Sequence, residues 1–334
     1  EGAYALAQKT EVWMMTKHSI PGRIWRSRPV YKARLVAFYI IDFFAGWAFE
    51  RFLFRRAHGY SLDLERPESF SHKLVWKRRF DRNPLLPVIA DKYTVRRYVE
   101  DVLGPERAAQ VLIPLLHVTD DPRDVPFDSL PDSFMFKASH GSGMNMVVRH
   151  LRHEDRKGLV RLARGWLKRP YGVFDHQWAY TVSHRRLLVE ELLLDEYGKP
   201  PADYKFFMIH GVCRMIEVDS DRFEGHKVNL YDRDWNMLDV VLTFPHDGKV
   251  TRPGNLDEML ALAEELSRDF DFIRVDLYSH QGRVYFGELT NYPGAGTERF
   301  DPVSFDFELG SHWKIDPDYW KSCPRSIHAS QYEG

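Results

Sequence analysis

FIRVDLYSHQGRVYFGELTNYPG, residues 272–294, alternates charged and apolar side chains on both sides of a short glycine-containing break. Arg274 and Asp276 are two apart on one strand and share a face, as do Glu288 and Thr290 on the next. For Asp276 and Glu288 to point the same way, the connection needs an odd number of residues or a bulge. A three-residue loop, His280-Gln281-Gly282, meets the condition and sets Arg274 opposite Glu288, with Asp276 diagonal to it. The flanking Phe272, Ile273, Val275, Leu277, Val284, Tyr285 and Phe286 argue for a sheet covered on its other face; the alternative is a salt-bridge cluster on an exposed sheet. Two inward carboxylates beside a Thr or Asn suit magnesium, which binds through one or two carboxylates plus phosphates and keeps waters.

A second stretch supplies the matching cations. FMFKASHGSGMN, residues 134–145, carries Lys137 out of an apolar run toward Gly141, Ser142 and Gly143. In a Walker A loop the lysine follows the glycines and a helix comes next. Here the lysine precedes them and Met-Asn-Met-Val-Val favours a strand, so the order excludes that loop. A strand, a glycine loop and a second strand remain, either a tight turn or a flap over phosphates.

The composition bounds the rest. The 334 residues, 44% apolar, suffice for two or three lobes. Lys plus Arg (47) nearly cancels Asp plus Glu (48), which argues against a nucleic acid partner. Cys213 and Cys323 form no metal spacing and fit a reduced, cytoplasmic setting. The first residues, EGAYALAQKTEVWMM, lack the pattern of a secretory signal. Residues 30–56 have an apolar centre interrupted by Asp42, short of a bilayer span, with basic flanks. They read either as a helix covering a lobe or as one lying at the inner face of a membrane. Residues 11–56 hold nine basic and three acidic side chains, +6 by count.

Spacing predicts a helix in SFSHKLVWKRRF (69–80), with Leu74, Val75 and Trp76 on one side and Lys73, Lys77, Arg78 and Arg79 in the gaps. Another helix follows Asp91 as N-cap and stops at Gly104, with Lys92 in its first turn, where the dipole disfavours a cation. VLIPLLHV (111–118) and RLLVEELLL (186–194) read as buried strands, and His153 to Leu167 as a helix. DYKFFMIHGVCRMIEVDS reads as a hairpin turning at His210-Gly211. Asn255 and Glu258 suggest a capping box.

Taken together, DRNPLLPVIADKYTVRRYV, FKASHGSGMN, VEELL, DYKFFMIHG, VDSDRF, HKVNLYDRDWN and RVDLY with VYFGELTNYPGAG resemble the TupA-like branch of the ATP-grasp superfamily, from about Glu68 to Lys314. The resemblance implies an α+β ATP-grasp fold in which two lobes sandwich the nucleotide. The two ATP-grasp lobes would run 131–195 and 196–320, preceded by a helical extension (1–66) and an N-terminal lobe (67–130) and followed by a tail (321–334). It implies ATP and Mg2+ as cofactors. Lys92 and Lys137 would bind phosphates under a flap of Gly141, Ser142 and Gly143. Glu190, Glu191 and Leu192 would lie by the adenine or ribose, and Lys205 by the γ-phosphate. Asp276 and Glu288 would hold metal. Where the family has Glu-x-Asn, this chain has Glu288-Leu-Thr290 with Asn291 one place late, so Thr290 and Asn291 both stand as the third ligand. Arg274 would stabilise an oxyanion, and His140, His210, Arg222 and His226 are candidates to face the substrate. The implied reaction is carboxylate–amine ligation through an acyl phosphate, on a uronic-acid-containing polysaccharide or related acceptor. A sugar kinase on the same fold and an inactive nucleotide-binding scaffold are the alternatives. A peripheral membrane contact through residues 30–56 and a homodimer are left open.

Overall fold

The computed structural model describes residues 47–173, 175–195, 198–220, 227–243 and 250–332, with 37, 40, 44, 45 and 248. Helices α1 (Ala48–His58), α2 (Phe70–Phe80), α3 (Leu85–Ala90), α4 (Thr94–Leu103) and α5 (Pro105–Val111) lead into a four-stranded antiparallel sheet. Its strands are β1 (Leu115–Thr119), β2 (Phe134–Ala138), β3 (Asn145–Val148) and β4 (Leu187–Glu190), in the order β1-β4-β2-β3. Helix α6 (Arg156–Leu167) lays Leu159 and Ala163 on Phe134, Phe136, Val148 and Val189 of this sheet. A second antiparallel sheet, β10-β9-β5-β6-β7, is built from β5 (Asp203–Ile209), β6 (Val212–Ser220), β7 (Lys227–Tyr231), β9 (Phe272–His280) and β10 (Arg283–Thr290). β8 (Val241–Leu242) pairs with β11 (Phe300–Asp301). Among the described residues no helix is long and apolar enough to cross a membrane.

The five-stranded sheet has two unlike faces because its side chains alternate. Phe206, Ile216, Ile273, Val275 and Leu277 join one core with α3, α4 and α7 (Leu256–Ser267). On the other face the charged residues gather midway along the strands. Beyond them Phe207, Met215 and Phe272 are covered by Phe70 and Leu74 of α2 and by Trp313.

Four expectations are corrected. The connection between β9 and β10 is a two-residue turn, Gln281-Gly282, both with positive φ (50° and 76°), and the parity is restored by a bulge between Phe286 and Glu288. Glu288 therefore stands directly opposite Asp276, and Thr290 opposite Arg274. α2 does not divide into a buried apolar side and an outer charged one: Lys73, Lys77, Arg78 and Arg79 are buried along with Leu74 and Val75. Each has acceptors waiting: Gly310 O (2.8 Å) for Lys73, Asp81 (2.7 Å) and Asp271 (2.5 Å) for Lys77, Ala295 O (2.7 Å) and Glu50 for Arg78, and Glu50 for Arg79. β1 is a half-exposed edge strand, and the strand expected over 186–194 ends at Glu190, after which Glu191 N–H donates to Pro114 O (3.0 Å). Asn255 precedes α7 but makes no cap; its Oδ1 accepts from Ser279 Oγ (2.9 Å).

The remaining elements form close to where the pattern put them, but α4 starts at Thr94, so Lys92 stands in the turn before it and not in its first turn, and α6 starts at Arg156 instead of His153. Asp91 Oδ1 accepts from Tyr93 N–H (2.7 Å) and Thr94 N–H (3.2 Å), satisfying donors that the start of α4 leaves over. The turn between β5 and β6 is His210-Gly211, with φ of 48° and 75°. Residues 30–56 lie only partly among those described; α1 buries Glu50, Phe54 and His58 against the body.

Candidate active site

The charged face of the second sheet is a row running across four strands. Pairing sets Glu288 opposite Asp276, Asp276 opposite Lys205, and Lys205 opposite Glu217. Arg274 makes a two-pronged contact with Asp276 (Nε–Oδ1 2.7 Å, Nη2–Oδ2 2.6 Å) and donates to Thr290 Oγ1 (3.2 Å). Thr290 Oγ1 in turn donates to Glu288 Oε1 (2.9 Å). Such planar bidentate pairing is what the guanidinium offers and a lysine does not. Burial pushes the Asp276 carboxyl up to about 8, with Arg274 pulling the other way. A carboxylate so far from water calls for a further cation.

Lys205 is buried with Glu217 (2.6 Å) and Asp219 on either side. Burial, the largest influence, lowers its pKa, but Glu217, Asp203 and Asp219 together with its hydrogen bonds outweigh that and hold it above the ordinary range. Glu298, half-buried and folded back against Gly294, reaches the same end of the row; removal from water, then Glu217, push its carboxyl up to about 7.

Near the Glu288 end of this row stand three cations, from the turn before α4, from α4 and from β2. Lys92 donates to Gly141 O (2.7 Å) and stands 3.8 Å from Glu288, so one side chain joins the glycine loop to the carboxylates. Lys137 contacts Glu190 at 2.5 Å, and Arg96 reaches the same carboxylate at 3.7 Å. Lys92, Arg96, Lys137, Glu190, Phe286 and Gly287 line one cleft. Gly141 and Gly143 take positive φ (72° and 68°), and a Cβ on Gly141 would strike the Tyr171 ring at 2.4 Å. Ser142 is exposed at the loop tip.

His140 is not a solvated turn residue: it is 1% exposed and its Nε2 bonds Arg169 O (3.0 Å). His210 sits at the far end of β5, where its Nε2 accepts from Lys314 N–H (3.1 Å), and the structure does not bring it to the row. Asn291 is buried and donates to Leu86 O (3.0 Å), whereas Thr290 meets Glu288. Glu191 is exposed beyond β4 and Leu192 follows it. Arg222 and His226 lie outside the described residues. Sequence reasoning missed Glu217, Glu298 and Arg96. Glu217 and Asp219 alternate on β6 as Arg274 and Asp276 do on β9, which was a usable signal once register was known.

Among the described residues no group of three His, Cys, Asp or Glu side chains converges as a ready-made metal cage. Two carboxylates and the Thr290 hydroxyl on one face, one carboxylate deeply buried, nonetheless fit a hard cation that keeps waters and shares phosphate oxygens.

No curated protein matches the chain. Solved structures with similar coordinates include D-alanine–D-alanine ligases from Bacillus anthracis and Helicobacter pylori. The first is 16% identical, covering 74% of this chain and 70% of that one, with a TM-score of 0.40. The second is 16% identical, covering 71% and 62%, with a TM-score of 0.37. N5-carboxyaminoimidazole ribonucleotide synthetase from Thermus thermophilus is 10% identical, covering 61% and 45%, with a TM-score of 0.34. The chain thus spans less than two thirds of the length of the second and third. Residues 72–314, well over half the chain, match the TupA-like ATP-grasp family, and the chain belongs to it.

Proposed function

We propose that the protein is an ATP- and magnesium-dependent carboxylate–amine ligase, joining an amino acid or amine to a uronic-acid-containing glycan or related acceptor. The observation that carries this reading is Lys92, which lines one cleft with Lys137, donates to Gly141 O of the glycine loop and stands 3.8 Å from Glu288 at the end of the Glu288, Asp276, Lys205 row. Lys137 and Lys92 bind triphosphate oxygens, and Gly141 to Gly143 fold over them with backbone N–H groups. Val189 to Leu192 border the nucleotide base. When bound, magnesium on Asp276, Glu288 and Thr290 would neutralise charge on the phosphoryl oxygens.

A substrate carboxylate oxygen attacks the γ-phosphorus and ADP leaves. The amine nitrogen then attacks the acyl carbon, phosphate leaves and the amine gives up a proton. Arg274, fixed by Asp276, offers its guanidinium edge to the oxyanion between these events. Lys205 stabilises the transferring phosphoryl group, and closure of the loop excludes water that would hydrolyse the acyl phosphate.

Hydroxylamine decides the chemistry. Incubation with ATP, magnesium and candidate uronic acids is expected to yield a hydroxamate together with ADP. A stable phosphorylated sugar instead would make the protein a kinase, and no ADP release with any acceptor would favour a scaffold.

A further inference from the structure

Helix α1 lies ahead of the family match and the catalytic reading assigns it nothing. It has two faces. Glu50, Phe54 and His58 are buried against the body, and the opposite face presents Ala48, Arg51, Phe52, Arg55 and Arg56, all exposed. These fall at i, i+3, i+4, i+7 and i+8, a single stripe of a helix. Just before it, past a left-handed residue at Trp47 (φ 65°), Phe44 is 81% exposed; Phe52 is 52% exposed. The stripe holds three guanidinium groups and no carboxylate, since its one acid, Glu50, is turned inward to Arg78 and Arg79.

Charge and apolarity together select the occupant. A second copy packing by the same stripe would set three arginines against three. A glycan would satisfy the arginines, but its sugar faces cover an aromatic ring on one side only and offer it no apolar medium. A surface with phosphates outside and hydrocarbon beneath matches both. We propose that this face of α1, with Phe44, docks the protein on an anionic bilayer surface: Phe44 and Phe52 enter the headgroup layer while Arg51, Arg55 and Arg56 meet lipid phosphates. The helix lies flat, because its inward face is already held by the protein.

Arg51 also donates to Leu62 O (3.1 Å), so the test uses the other positions. The full chain is sedimented with phosphatidylcholine vesicles, with and without phosphatidylglycerol. The expected result is binding to the anionic vesicles only, reduced by added salt. At about 1 kcal/mol per arginine near such a surface, Arg55→Ser with Arg56→Ser lowers partitioning by roughly 30-fold. Phe44→Ser with Phe52→Ser lowers it further, and both variants keep the wild-type melting temperature. Equal binding to neutral vesicles, no binding to either, or a wild-type dimer that the Phe variant turns into a monomer would each overturn the proposal.

Discussion

Lys205 lies between two carboxylates and opposite a third, with almost no access to water. Lys205→Met removes the cation and leaves Glu217 and Asp219 buried without it. A loss of about 3–5 kcal/mol is expected, measured as a drop in denaturant midpoint. Lys137 is half-buried with one partner, Glu190, and tolerates more. Lys137→Ala should fold normally but lose the rise in melting temperature that ATP with magnesium gives the wild type, a rise worth about 2.7 kcal/mol at a hundredfold excess over Kd. His140→Gln should keep that rise. Burial, helped by Arg185 and Lys92 and opposed by the Arg169 carbonyl and Asp91, holds the His140 imidazole below its ordinary range. The unfolded chain takes up that proton near pH 6.5 and the folded one does not, so this residue lowers stability as pH falls through about 6.5. The fall in melting temperature between about pH 7.5 and about pH 5.5 should be smaller in His140→Gln than in the wild type. The lysines were legible because they stand in ordered motifs. Glu217 was not, since its alternation with Asp219 declares nothing until the partner strand and its register are known.

Both hairpins of the second sheet share one device. Each turns through two residues of positive φ, and each then carries a bulge, between Phe207 and Met208 in the β5–β6 pairing and at Gly287 in the β9–β10 pairing. Counted straight from the turns, Lys205 would face Ile216 and Glu288 would face Val275. The extra residue in each moves Glu217 opposite Lys205 and Glu288 opposite Asp276. The turns were readable from His-Gly and the Gly-ended loop, and the parity condition from the alternation. The choice between loop and bulge was not, because it depends on how the pleat meets the neighbouring strand. Gly287 is where this can be probed: a Cβ there would sit 3.0 Å from Asp276 O and 3.0 Å from the Tyr278 ring. Gly287→Ala should cost about 1–3 kcal/mol and lower kcat more than nucleotide affinity, read from turnover and ATP titration on one preparation. Unchanged turnover would show that the bulge does not hold the row in place.

Across the molecule, buried cations tie segments distant in sequence. Lys77 joins Asp81 to Asp271, Arg78 reaches Ala295 O in the loop after β10, and His58 reaches Gly296 O (2.9 Å) in the same loop. Glu50 compensates both Arg78 and Arg79. Glu50→Gln should therefore destabilise by about 3 kcal/mol, although it is far from any reacting group in sequence. Calorimetry should show one transition shifted downward; an unshifted transition would show that α1 is an independent appendage. None of this was visible in the composition of α2, where four cations in an amphipathic pattern describe a solvated helix equally well. Apart from Asp81, their partners come from segments remote in sequence, more than two hundred positions away for Lys73 and for Ala295 with Arg78.

The stretch recognisable by kinship begins at residue 72, yet His58 directly, and Glu50 through Arg78, hold the backbone that follows β10. The unit that inherits the chemistry is thus smaller than the unit that folds. A version cut at the boundary of kinship would keep every residue assigned to catalysis and lose the acid that neutralises its interior, so recombining this protein with relatives requires carrying α1 along.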